Sequence, residues 1–319
     1  MTNDQSAKIK TLVWFDVFDW PLTALEIKKY TPNKNLSKPP ENTSDAIENL
    51  NGFYFLKGRK EIVKKRILRQ KIAIQKIKIA KFAAEILSFV PFVRMVAVCN
   101  DLAYFNAPED SDIDFFVVVK SGRMWTARFL ATFIIFVLGL WRHRKKIKDR
   151  ICLSFFIADD NLNLKEIAYE NDIYLKFWIL QILPLFDRND TPRQSKHGTG
   201  QAYQKFLKEN FWVMDEFPNF FPNFPVQKIK IKQKLIQIVF EKILNGWLGN
   251  FLEKILKNFQ LKIMGKKKPF QKEKDVIISD KILKFHENDR RKYFRNIFNQ
   301  RLTEIREHSW PNSRLIREG

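Results

Sequence analysis

The run IDFFVVV, residues 113–119, is apolar except for Asp114, and Asp112 stands immediately ahead of it. Such a run reads as a buried strand, and an ionised carboxylate buried without a partner costs several kcal/mol. On a strand, residues i and i+2 face the same side, so Asp112 and Asp114 are expected to project together, with Ile113 turned into the opposite core. Two carboxylates a few ångströms apart repel each other unless a cation lies between them. Mg²⁺ (or Mn²⁺) suits such a pair, because it takes one or two carboxylates and completes its shell with water and phosphate oxygens. The plainer alternative is that both acids end a strand and pair with Lys or Arg, of which the chain has 57.

The surrounding pattern predicts an α/β (α+β) chain. Strand-like runs at 93–98, 113–119 and 151–157, with an apolar helix at 124–141 between the last two, imply a small mixed sheet. Ahead of them, a helix at 6–18 is broken by Pro21, Thr23 caps a second, and NTSDAIENL (42–50) reads as a third. Asn51-Gly52 and Lys57-Gly58 then bracket a short aromatic strand that suits a hairpin. Three helices and a hairpin describe a winged-helix-like unit over 1–65. An α/β layer over 66–165 follows, its first part (66–90) a Lys-rich linking helix, and a helical region spans 166–319. In that last region no further strand pattern is evident: 171–187 reads as a helix stopped near Pro184, 188–201 and 265–275 as polar loops, 217–225 as an irregular aromatic segment, and 226–264 and 280–307 as helical blocks.

The strand VAVC, the turn Asn100-Asp101, a spacer of about ten residues and SDIDFF together resemble the nucleotidyltransferase superfamily, the fold of DNA polymerase beta, the poly(A) and CCA-adding enzymes and the minimal nucleotidyltransferases. The winged-helix-like start and the closing SDKILKFHENDRRKYF are similar to bacterial members, so the resemblance extends over most of the chain. It implies a metal-dependent transfer of a nucleotidyl group from a nucleoside triphosphate to an acceptor, with nucleic acid, protein and small molecule as the open choices. It further implies Asp112 and Asp114 as catalytic metal ligands and Ser111 as a residue that orients the first of them. Nucleotide contacts are expected from Asn100 and Asp101, which replace the family's Gly-Ser, and from Ser111; Lys120, Arg123 and Arg128 follow the acidic strand closely and read equally as triphosphate contacts or as generic surface charge. The family's third carboxylate has no counterpart in ICLSFFIADD, where the inward positions are apolar or Ser154 and Asp159 and Asp160 lie past the strand end. The alternative is therefore a catalytically impaired relative that binds nucleotide, nucleic acid or a protein partner.

The formal charge of +22 points to nucleic acid, nucleotides or an acidic lipid surface, and equally to the Lys, Ile and Asn bias of an AT-rich genome. The stretch FLATFIIFVLGLW (129–141), followed by RHRKK, is shorter than the roughly 18 residues a span requires. It reads as a core helix, or less readily as an interfacial segment of a membrane-surface protein. Cys99 and Cys152 sit in apolar runs and read as inert core thiols of a cytoplasmic protein, so a disulfide scaffold is excluded. His286, Asp289, Arg290 and Arg291 form a polar group able to reach a phosphate or to join two helices; His143 and His197 read as solvated. No Cys/His zinc spacing, Walker loop, dinucleotide fingerprint or G-x-S-x-G elbow occurs.

Overall fold

The computed structural model describes residues 3–33, 46–143, 146–188, 201–222, 231–265, 275–285 and 289–309. The chain opens with α1 (Asn3–Asp16), β1 (Leu22–Thr23) and α2 (Ala24–Tyr30), followed by the hairpin β2 (Ile47–Leu50) and β3 (Phe53–Leu56). Thr23 caps α2 in a capping box, its hydroxyl accepting from the Glu26 amide while Glu26 accepts from the Thr23 amide, worth about 1 kcal/mol. The hairpin turns at Asn51 and Gly52, both at positive φ, and its strands join β1 in a sheet of order β1-β3-β2. The third helix expected at 42–50 is corrected over its second half. Residues 47–50 pair with β3, the Asn-Gly turn closing the strands, and 42–45 lie outside the described residues.

The linking helix is α3 (Glu61–Leu87), and beyond it come β4 (Val93–Val98), α4 (Asn100–Ala103), β5 (Ile113–Val119), α5 (Met124–Val137) and β6 (Ile151–Ala158). After these lie α6 (Ile173–Gln181), β7 (Leu183–Asp187), α7 (Gln201–Glu209), α8 (Phe211–Met214), α9 (Ile231–Ile243), α10 (Trp247–Gly265), β8 (Val276–Ile278), β9 (Ile282–Phe285) and α11 (Arg291–Ser309). The helix α5 ends four residues short of expectation, at a left-handed Gly139 whose amide bonds back to Phe136.

The main sheet has six strands in the order β7-β4-β5-β6-β9-β8, with β5 and β6 parallel and the other pairs antiparallel. Three of its strands come from 166–319, where no strand was expected. Each was hidden for a physical reason. Pro184 lacks an amide donor, but β7 is an edge strand and tolerates it, while the extended conformation favoured before a proline ends α6 at Gln181. The strand β8, three residues long, falls between the expected loop 265–275 and the helical block 280–307, while β9, four residues long, lies within that block, where its ladder to β6 outweighs the helical pattern. The loops expected at 188–201 and 265–275 lie almost wholly outside the described residues, as does His197.

The sheet divides the core. Phe116, Val118, Phe155 and Ile157 face α1, α6, α7 and α11, whereas Ile113, Phe115, Val117 and Phe156 face α3, α5 and α10. On the first side aromatic rings fill the layer, with Trp14 stacked on Phe177 at 5.4 Å and Phe116 edge-on to Trp178 at 5.4 Å. Asp112 and Asp114 belong to the row that continues through Phe116, so they lie on the lip of this aromatic layer.

Candidate metal centre

Parallel pairing of β5 with β6 sets Asp114 opposite Cys152, and a bulge follows, since Phe116 is next opposite Phe155. Ligand atoms of Asp112, Asp114 and Cys152 lie within 4.8 Å of one another, a distance that one divalent ion can bridge. The carboxylates thus converge. Cys152 is the member that sequence reasoning missed: it was counted as a core thiol, because only pairing with β6 and the bulge reveal which face it joins. It takes the place in which a third carboxylate was sought, while Asp159 lies at the far end of the sheet, accepting from the Ser121 amide.

Several elements position the pair. Asn100 starts α4 at φ 54°, a left-handed conformation that asparagine accepts more readily than most residues. Its side chain is fully used: Nδ2 donates to Asp114 Oδ2 at 2.8 Å, and Oδ1 accepts from Trp178 Nε1 at 3.0 Å. From the other layer, Lys76 on α3 carries a buried ammonium that donates to the carbonyls of Glu109 and Ser111 and to Asp149 Oδ1 at 2.7 Å. Those three bonds fix the loop that delivers Asp112. Ser111 does not orient Asp112 as expected. Its hydroxyl donates to the Pro108 carbonyl, closing the loop on itself.

Among the described residues Asp112 has one cationic partner, Arg142 Nε at 2.7 Å from Oδ2. Arg142 is placed by the backbone, its amide bonding to Ile151 O while the Ile151 amide bonds to Leu140 O. Partial burial disfavours the Arg142 cation, but the Asp112 charge overcomes this and holds its pKa above the ordinary arginine value. Among the described residues Asp114 is paired with no cation. Burial, followed by the negative charge of Asp112, pushes its carboxyl up to about 7, against the opposing hydrogen bond from Asn100. Asp101 is raised as well, by burial, although the Tyr104 hydroxyl donates to it at 2.9 Å and the Arg69 charge favours its ionised form. Burial and the Asp114 charge likewise push the Cys152 thiol up. Three acids with too little positive charge therefore sit at one end of β5.

Lys120 and Arg123 do not join them. A strand rises about 3.3 Å per residue, so Lys120, six residues beyond Asp114, is roughly 20 Å away at the opposite end of the strand. There Lys120 donates to Asn245 Oδ1 and Arg123 to the Asn245 carbonyl, and both approach the ring of Phe92. Arg128 lies on α5, bonded to Gln260 and packed over Phe285. None of the three contributes to a site at Asp112.

A cavity of about 200 Å³ opens beside Asn100, lined by Tyr174, Trp178, Phe294 and Arg290 among others. Arg290 is exposed, stacks over Tyr293 and Phe294, and its charge is felt by Asp101. Asp289 and Arg291 serve differently. Together with Lys284 and Asp172 they form a buried network, in which Arg291 Nη1 reaches Asp172 Oδ2 at 2.7 Å and Lys284 reaches Asp289 at 2.8 Å. His286 lies outside the described residues, and α11 begins only at Arg291. A larger cavity of about 590 Å³, between α1, α6 and α11, is lined by Lys10, Lys176 and Phe298 and does not reach the carboxylates.

No family model, curated protein or solved structure matches this chain.

Proposed function

We propose that the chain is a metal-dependent nucleotidyltransferase-like protein that moves a nucleotidyl group from a nucleoside triphosphate to an acceptor hydroxyl. The observation that carries this reading is the convergence of Asp112 and Asp114 on one face of β5, at the end of the sheet next to Asn100 and the aromatic cavity. The donor set fits a divalent ion: two carboxylates suit Mg²⁺ or Mn²⁺, and the thiol beside them tilts preference toward Mn²⁺. Asp112 and Asp114 would hold the ion, which supplies charge neutralisation to the phosphoryl oxygens. Asn100 keeps Asp114 aimed, Lys76 keeps the Asp112 loop in register, and Arg290 faces the space where a phosphate tail would lie. In the transfer, the acceptor hydroxyl loses its proton to solvent as its oxygen bonds to the α-phosphorus, the bond to the α–β bridging oxygen breaks, and pyrophosphate leaves. The free thiols suit a reducing cytosol.

A second reading has its own support. The Arg142–Asp112 ion pair and a thiol at the third position favour a relative that binds nucleotide without turning it over. Incubation with triphosphate labelled at the γ-phosphate, so that released pyrophosphate carries the label, with Mg²⁺ or Mn²⁺, distinguishes the two. Pyrophosphate release that disappears in Asp114→Asn supports the transferase; saturable binding without release supports the binder; neither result overturns both.

A further inference from the structure

Most of the exposed large apolar side chains fall in two segments, 133–147 and 235–263. On α10 they form one stripe at helical spacing: Trp247 (79% exposed), Phe251 (58%), Ile255 and Phe259 (50%). The opposite face of the helix, with Leu256 and Gln260, is buried against α5. The stripe does not stop at the helix edge. Phe259 meets Phe129 at 6.1 Å, Phe129 stacks with Phe133 at 6.3 Å, and Phe136 meets Trp141 at 5.9 Å, extending the apolar surface along the exposed flank of α5. In α9, Leu235, Val239, Phe240 and Ile243 are exposed as well.

The charges on these helices are sorted. Between residues 231 and 265 there are six lysines and only two acids, Glu241 and Glu253. Both acids are used internally: Glu253 accepts from the Trp125 and Thr126 amides at the start of α5, and Glu241 binds Arg94, Arg188 and the Phe92 amide. Lys242, Lys254 and Lys262 remain exposed, with Lys262 about one turn beyond Phe259 on the same side of α10. The first turn of α10 requires glycine where it passes the preceding turn, since a Cβ at Gly249 would stand 1.6 Å from the Leu244 carbonyl oxygen. No described helix is long and apolar enough to cross a membrane.

We infer that the exposed face of α10, with the end of α5, docks on an anionic lipid surface. A Trp- and Phe-rich stripe with lysines beside it, and with its acids turned inward, has the chemistry of an interfacial helix: rings enter the acyl boundary while the ammonium groups reach lipid phosphates. The charged side chains on the outer side of α10 are lysines, of which Lys257 is paired with Asp280 while Lys254 and Lys262 flank the rings, and this basic balance matches an anionic bilayer.

Flotation of the full-length chain with phosphatidylcholine vesicles, with and without phosphatidylglycerol, tests this. The wild type is expected to float with the anionic vesicles and not with the neutral ones, and to be released by salt. The double variant Phe251→Glu/Phe259→Glu should lose about tenfold or more in affinity with an unchanged melting temperature, since both rings are half exposed or more. Lys254→Glu/Lys262→Glu, which leaves the rings in place, should lose binding as well. The inference falls if the wild type fails to float, if it floats equally on neutral vesicles, or if both double variants float like the wild type. It falls too if the wild type is a dimer that Phe251→Glu/Phe259→Glu splits, which would assign the face to a second copy.

Discussion

The two ends of β5 handle acid side chains in opposite ways. At the C-terminal end, Glu241 is enclosed by Arg94 at 2.7 Å, Arg188 at 2.6 Å and the Phe92 amide. Burial works against its ionisation, but these partners prevail and hold its carboxyl below the usual glutamate range. At the N-terminal end, Asp112, Asp114 and Asp101 gather with Arg142 on one of them, and Asp114 is driven up to about 7. One sheet thus contains a saturated charge cluster and an unsaturated one. The saturated end holds the fold together, and the unsaturated end has capacity left for a ligand.

The comparison breaks most visibly at the saturated end. Glu241→Gln leaves two largely buried arginines without their carboxylate and should cost about 3 kcal/mol, read as a shift in the urea midpoint. Because the folded-state pKa of Glu241 is lowered, its contribution is present above the unfolded value near 4.3 and is lost as pH falls through the folded one. The variant's stability should therefore depend less on pH in that acid window.

At the other end the sign reverses. Asp114 has a raised folded pKa, so between about 4 and about 7 the native state binds more protons than the unfolded chain, and stability falls as pH rises across that window. Without divalent ion, Asp114→Asn should remove this fall and stabilise the protein by roughly 1 kcal/mol or more at pH 8, since each pKa unit corresponds to about 1.4 kcal/mol. Melting curves at pH 5 and pH 8 check it; a destabilised variant at pH 8 would show that Asp114 is already compensated.

Smaller effects sharpen the contrast. Arg142→Gln removes the cation that competes for Asp112 and should tighten Mn²⁺ binding severalfold, on the order of 1 kcal/mol, by calorimetric titration. Lys120→Gln should leave triphosphate binding unchanged and stability within about 0.5 kcal/mol, because Lys120 belongs to the other end of the strand. A loss of triphosphate affinity there would return it to the site.

Legibility in the sequence followed the same division. The strands β4, β5 and β6 were readable because each is a continuous apolar run, and Asp112 and Asp114 stood out against β5 for that reason. The strands β7, β8 and β9 were not, since Pro184 reads as a helix stop and three- or four-residue strands carry no period of their own. Cys152 and Lys76 could not be found locally. What makes them matter is the residue opposite each: Asp114 across a bulged parallel pair, and the 109–111 loop across a helix contact. Lys120 and Arg123 illustrate the reverse error, in which nearness in sequence was taken for nearness in space along an extended strand.

The most direct test is Mn²⁺ titration, followed by electron paramagnetic resonance, of the wild type at pH 8 and of Asp112→Asn/Asp114→Asn. One saturable site in the wild type that is lost in the double variant is expected. No saturable site, or an undiminished one in the variant, would mean that the two carboxylates end a strand beside Arg142 and bind nothing.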